Sequence, residues 1–222
     1  MDMANEQVRL IVCDIGGVLI KTDEAILFAI EDAARRLGLG GGCLDNVYSV
    51  FGMSLEDYVR AYLPPEHKAS ARKCYDAFGE IYPTKVRHLL KPYAGVDEAL
   101  HQLKEQGMLV ATFSCMNGGQ VDANLSLLSF RDFDAVFAID DYGENHKRPD
   151  PRGLQMLMGK LGCSAQETAY VGDTEMDILM ARNAGVVSVG VTSGAQPTAF
   201  MQRAAPNYTI GLFRDILSLL PL

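Results

Sequence analysis

Apolar residues along this 222-residue chain gather into short runs bounded by turn residues, at 8–13, 108–113, 135–139, 169–171 and 186–191. Runs of that length, rich in β-branched residues and without polar alternation, predict strands buried on both faces of a parallel sheet. Between them, 96–106, 121–128, 153–161 and 176–184 carry apolar residues at helical spacing. Strand alternating with helix predicts an α/β fold, a doubly wound, Rossmann-like parallel sheet.

One stretch breaks the alternation: residues 22–90 hold helical patterns and no convincing strand. Residues 24–37 predict a helix ended by Gly38. Ser54-Leu55-Glu56-Asp57 resembles a capping box, opening a helix that runs to Tyr62 before Pro64-Pro65, and 66–78 predicts a further helix. A helical insertion just after the first strand predicts an all-helical cap over 22–90, with 1–21 and 91–222 forming the core.

Composition narrows the function. Apolar residues make up 48% of the chain, enough for a real core, and none of the apolar runs approaches the ~20 residues that span a bilayer. The polar, acidic residues 1–9 do not read as a signal peptide, so the expected location is cytoplasmic and no membrane partner is expected. Net charge is −8 without a basic cluster, which argues against nucleic acid as a partner. An anionic substrate therefore needs positive charge supplied locally by its site. Cys13, Cys43, Cys74, Cys115 and Cys163 form no CxxC pair, so reduced thiols are expected rather than a zinc site or disulfides.

Ligands of open α/β sheets sit at the carboxyl ends of the strands. Asp14 follows the first run, Ser114 the second, Lys147 and Arg148 come shortly after the third, and Asp173 follows the fourth. Asp and Ser also serve as helix N-caps in such loops, and for Ser114 that reading is as good as a functional one. Gly172-Asp173-x-x-x-Asp177 sets two carboxylates on one face of a helix start, where they repel unless a cation or the helix dipole compensates. A hard divalent ion such as Mg²⁺ does so with carboxylate oxygens and water.

These residues, in this order, resemble the haloacid dehalogenase (HAD) superfamily, in its branch with an α-helical cap inserted after the first motif. Cys13-Asp14-Ile15-Gly16-Gly17-Val18-Leu19 matches the first motif, Ser114 the second, Arg148-Pro149-Asp150-Pro151 the third, and Val171-Gly172-Asp173-Thr174-Glu175-Met176-Asp177 the fourth. Lys91-Pro92-Tyr93-Ala94-Gly95-Val96, Ala181-Arg182-Asn183-Ala184-Gly185 and Gly190-Val191-Thr192-Ser193-Gly194 read like phosphoglycolate-phosphatase relatives. The resemblance spans nearly the whole chain. It implies that Asp14 attacks phosphorus and becomes an aspartyl phosphate on a small phosphorylated metabolite. It implies Mg²⁺ held by Asp14, Asp173 and the Gly16 carbonyl, with Asp177 direct or through water. Ser114 would bind phosphate oxygens, and Lys147 or Arg148 would neutralise the remaining charge.

Gly16 departs from the family, which usually has Asp there as general acid and base. That chemistry is worth roughly 10²–10⁴-fold. Two alternatives therefore stand beside a Mg²⁺-dependent phosphatase: an impaired member that binds a phosphorylated ligand as a sensor, and an enzyme that cleaves C–P or C–halogen bonds. The C–P enzymes use a cap lysine that the loop 51–56 lacks. Lys21 is a linker lysine with two readings, a contact to substrate or simple solvation. Cys115, beside Ser114, is expected to be open to oxidation.

Overall fold

In the computed structural model, which describes residues 7–48, 50–194 and 196–220, the chain enters the sheet with β1, Leu10–Cys13. Leu10 and Val12 pack into one buried cluster and Ile11 and Cys13 into another. The strand is thus covered on both faces, which is why its sequence shows no polar alternation. A two-stranded antiparallel ribbon follows, β2 at Ile20–Lys21 pairing with β3 at Lys91–Pro92.

Among the described residues, only helices lie between these two short strands. They are α1 (Asp23–Arg36), α2 (Leu44–Tyr48), α3 (Leu55–Tyr62), a 3₁₀ turn at Pro65–Ser70 and α4 (Ala71–Lys85). The capping box at α3 forms, with Asp57 N–H donating to Ser54 Oγ at 3.3 Å and Ser54 N–H donating to Asp57 Oδ2 at 3.2 Å. Residues 66–78, expected as one helix, instead divide between the 3₁₀ turn and α4, which runs on through Pro83.

The remainder alternates: α5 (Val96–Glu105), β4 (Leu109–Phe113), α6 (Gly118–Leu125), β5 (Ala135–Phe137), α7 (Ile139–Tyr142) and α8 (Arg152–Leu161). Then come β6 (Thr168–Gly172), α9 (Glu175–Ala184), β7 (Val187–Val191), α10 (Thr198–Ala204), β8 (Tyr208–Ile210) and a 3₁₀ turn at Phe213–Leu219. The third apolar run leaves the sheet early. Ala138 N–H donates to Asp141 Oδ2 at 2.8 Å, which starts α7 at Ile139 instead of extending β5.

The six-stranded sheet has the order β5-β4-β1-β6-β7-β8, and its neighbouring strands are parallel throughout. In register, Cys13 at the end of β1 lies opposite Thr112 of β4 and Val171 of β6. The ends of three strands therefore form one rim, and the loops after them emerge together. The order reverses at β1, so this rim is the topological switch point where ligands of such sheets bind. No helix among the described residues is long and apolar enough to cross a membrane.

Candidate active site

Asp14 leaves β1 with its N–H still donating to Val171 O at 2.9 Å, and Ile15 N–H donates to its Oδ1 at 2.8 Å. The carboxylate is buried and oriented by the backbone before any other side chain acts. Arg148 then closes on it: Nη2 lies 2.8 Å from Asp14 Oδ1, and Nη1 donates to Asp14 Oδ2 at 2.9 Å. The same guanidinium reaches Asp177 Oδ1 at 2.7 Å and Phe113 O at 3.2 Å, while its buried Nε has no partner among the described residues. A planar fork matched to two carboxylates is a task for arginine rather than lysine.

Asp177 owes its place to α9. Thr174 caps the helix, its N–H donating to Asp177 Oδ2 at 3.0 Å, and Tyr170 O–H donates to Asp177 Oδ1 at 2.9 Å. Both oxygens are thus engaged, one by the cap and the other by Tyr170 and Arg148. Asp173 stands just ahead of that cap. Its Oδ2 lies so close to Gly17 and Gly194 that a Cβ on either would collide with it. Gly17 also has φ +75°, so two constraints exclude a side chain there.

Asp14, Asp173 and Asp177 each offer an oxygen within 4.8 Å of the others. Three carboxylates against one guanidinium leave two negative charges when all are ionised. Burial pushes Asp14 up to about 6, with Arg148 opposing and Asp177 adding to the rise. Burial also drives Asp173 well above the usual carboxylate range, reinforced by Asp177 and Asp14. A buried cluster with an uncompensated negative charge and hard oxygen donors fits a divalent cation of the Mg²⁺ kind.

Ser114 is buried on the wall of the same cavity as Asp14, Gly16, Arg148 and Asp173. Its Oγ accepts from Met116 N–H at 3.2 Å, and it does not cap α6. That cap is Asn117, whose Oδ1 accepts from Gln120 N–H at 3.0 Å. Lys147 goes elsewhere: its Nζ lies 2.8 Å from Asp57 Oδ2 and 3.2 Å from Ser54 Oγ at the start of α3. Burial tends to raise Asp57, but Lys147 and Ser54 outweigh it and hold the carboxyl below its ordinary range. Lys21 is exposed and sits 5.2 Å from the Tyr93 ring centroid, outside the cavity lining. Cys115 is buried, with its thiol pushed up chiefly by that burial, so the expectation of easy oxidation fails.

The residues that complete the cavity include part of the loop 51–56, noted in the sequence only for its missing lysine, and others that the sequence does not point to. Thr22, at the end of β2, places Oγ1 2.7 Å from where a Cβ on Gly16 would lie. Phe51, Gly52, Met53, Leu55 and Tyr58 come from the helical insertion. Gly52, with φ +90°, packs so tightly on Thr174 that a Cβ would collide with its hydroxyl, and Gly52 N–H donates to Tyr58 Oη at 2.7 Å. Such long-range apolar contacts leave no local pattern to read.

A doubly wound sheet with a carboxylate cluster and one guanidinium at its switch point, walled by an inserted helical segment, defines a recognisable class. The family model for "Haloacid dehalogenase-like hydrolase" matches residues 11–191, and the chain belongs to that family. A Dickeya dadantii protein named "Probable phosphatase IndB" is 31% identical over 216 residues, covering 94% of this chain and 91% of that protein. "Pyrophosphatase PpaX" of Halalkalibacterium halodurans is 28% identical over 214 residues, covering 96% and 97%. The crystal structure of a predicted phosphoglycolate phosphatase from Haemophilus somnus superposes with a TM-score of 0.84 at 22% identity, covering 96% of this chain and 97% of that one.

Proposed function

We propose that this protein is a Mg²⁺-dependent phosphatase of a small phosphorylated metabolite, working through an aspartyl phosphate on Asp14. The observation that carries the reading is the Asp14 carboxylate, held by Ile15 N–H and the Arg148 fork at the cavity wall with Asp173 beside it. The relatives named phosphatase and pyrophosphatase agree with it. In the first step an Asp14 oxygen bonds to phosphorus as the ester P–O bond breaks. Water then hydrolyses the acyl phosphate and restores the carboxylate.

A carboxylate approaching a phosphate dianion meets about 4 kcal/mol of repulsion per charge pair at about 4 Å and an effective dielectric near 20. Arg148 offsets part of it, and Ser114 Oγ donates to a phosphate oxygen. Asp14, Asp173 and the Gly16 carbonyl would hold Mg²⁺, which supplies the remaining charge neutralisation. Asp177, paired with Arg148, would join the metal directly or through water. Of the two candidate cations, Arg148 is the one we assign to the phosphate site.

Residues 22–90 serve in this reading as a cap over a core of 1–21 and 91–222. Opening admits substrate and closure excludes water. With glycine at 16, the carboxylic acid that the family usually places there is missing, so esters whose leaving groups depart unaided are favoured. The expected setting is cytoplasmic. The test is phosphate release from an aryl phosphate with Mg²⁺, compared with EDTA-treated protein and with Asp14→Asn. Activity at the wild-type rate in either control overturns the proposal.

A further inference from the structure

Two kinds of residue line the cavity. Asp14, Ser114, Arg148 and Asp173 come from the strand ends, and a largely apolar wall comes from Ile26, Phe51, Met53, Leu55 and Tyr58 of the helical insertion. Arg148 is the one lysine or arginine among the lining residues, and both of its terminal nitrogens are committed to Asp14, Asp177 and Phe113 O. Lys147, its neighbour in the chain, is held by Asp57, and Lys21 lies over Tyr93. The wall also carries a charge of the opposite kind, Asp23 in the first turn of α1.

We infer that the natural substrate is a phosphate monoester whose leaving group carries no second anionic group. The inference rests on the phosphatase reading above. A leaving group must lie beyond the phosphate, against the apolar wall. A carboxylate or second phosphate placed there loses water without gaining a second cation, the nearby hydroxyls of Thr22 and Tyr58 being neutral. The Asp23 carboxylate then adds repulsion that Arg148, already shared between two carboxylates, does not cancel. An uncharged leaving group meets neither cost and gains apolar contact with Phe51 and Met53. The substrates in the names of two similar proteins, pyrophosphate and phosphoglycolate, both carry such a second anionic group. By this reasoning the present chain discriminates against both.

The test uses two aryl phosphates of nearly equal shape, 4-carbamoylphenyl phosphate and 4-carboxyphenyl phosphate, which differ in charge beyond the phosphate, each rate being corrected for leaving-group acidity with a series of uncharged phenyl phosphates. With the full-length protein and Mg²⁺, kcat/KM should favour the carbamoyl ester by about tenfold or more, the scale set by an unpaired polar group in a closed site. Asp23→Asn, which keeps the shape of that side chain, should narrow the ratio by raising turnover of the carboxylated ester. Equal rates, or a preference for the carboxylated ester, overturn the inference while leaving the phosphatase reading intact. An unchanged ratio in Asp23→Asn removes Asp23 from the argument. Failure to release phosphate from either ester overturns the phosphatase reading itself, a separate outcome.

Discussion

Thr22 Oγ1 stands 2.7 Å from the point where a Cβ on Gly16 would lie, and Met116 Cε stands 3.4 Å from it. The glycine is therefore more than a missing acid, because the space an acid would enter already holds a threonine hydroxyl. Gly16→Asp alone should fail to raise turnover of alkyl phosphates, since Thr22 must first give way. Gly16→Asp combined with Thr22→Ala should raise it, by up to the roughly 10²–10⁴-fold that general acid catalysis supplies. Steady-state rates on one alkyl phosphate across wild type, single and double variants decide the matter. A full gain from the single variant would show that Thr22 is no obstacle.

Without an acid at 16, the wild-type rate should climb steeply with leaving-group acidity. Aryl and acyl phosphates should be cleaved far faster than alkyl phosphates, whose alkoxides leave poorly unprotonated. A series of substituted phenyl phosphates measures the slope. A flat series would mean that another group donates the proton. Tight binding of a phosphorylated metabolite with no turnover of any activated ester would instead support a sensor.

Arg148 and Lys147 should separate cleanly. Arg148→Met strands the buried Asp14 and Asp177, and breaking a buried pair in this way costs about 3–5 kcal/mol of stability. Activity should be lost as well, and Arg148→Lys should restore charge without the two-pronged geometry, recovering only part. Lys147→Met should leave the rate of the chemical step near wild type. Single-turnover kinetics and thermal melts of the three variants check this, and loss of chemistry in Lys147→Met would reverse the assignment.

Metal and pH are linked through the same carboxylates. Burial pushes Asp14 up to about 6 and also drives Asp173 well above its ordinary range, against about 3.9 for an unfolded Asp. A carboxyl raised on folding contributes stability that is fully present below its unfolded value and is lost as pH rises through its folded value. Protein without a divalent ion should therefore lose stability as pH climbs from about 4 through about 6 and beyond. In the proposed reading Mg²⁺ is held by the ionised pair, so its addition should raise Tm more at pH 8 than at pH 5. Melting curves with and without Mg²⁺ at both pH values provide the measurement, and equal shifts would contradict the carboxylate linkage.

The parts of this site that the chain discloses by itself are those tied to regular backbone. Asp14 and Asp173 follow apolar strands whose parallel register brings their ends to one rim, and Asp177 lies one helical turn beyond Asp173. Ser114 is ambiguous in the sequence because a serine in such a loop also serves as a helix N-cap, and only the fold assigns that cap to Asn117. Lys147 and Arg148 were indistinguishable for another reason. Lys147 has an extended backbone, with φ −69° and ψ 157°, so neighbouring side chains diverge, and only the third dimension tells which turns inward. The apolar wall from Phe51 to Tyr58 meets the core only through long-range packing. The edge strand β8 is three residues long, too short for a period to register.

The link from Lys147 to Asp57 joins the helical insertion to the chain neighbour of Arg148, and its side chains keep 31% and 24% of their exposure. Such a pair feels dissolved ions: the screening length falls from about 8 Å at about 0.15 M salt to about 3 Å at about 1 M. Ionic strength therefore acts on this joint as a loosening agent and, in the proposed cap reading, should favour opening, while the buried Arg148 cluster is screened far less. KM for an aryl phosphate with an uncharged leaving group should rise with added NaCl in the wild type. Lys147→Met should begin at the higher KM and respond less to salt, and parallel salt curves for the two proteins would show that the joint does not govern closure.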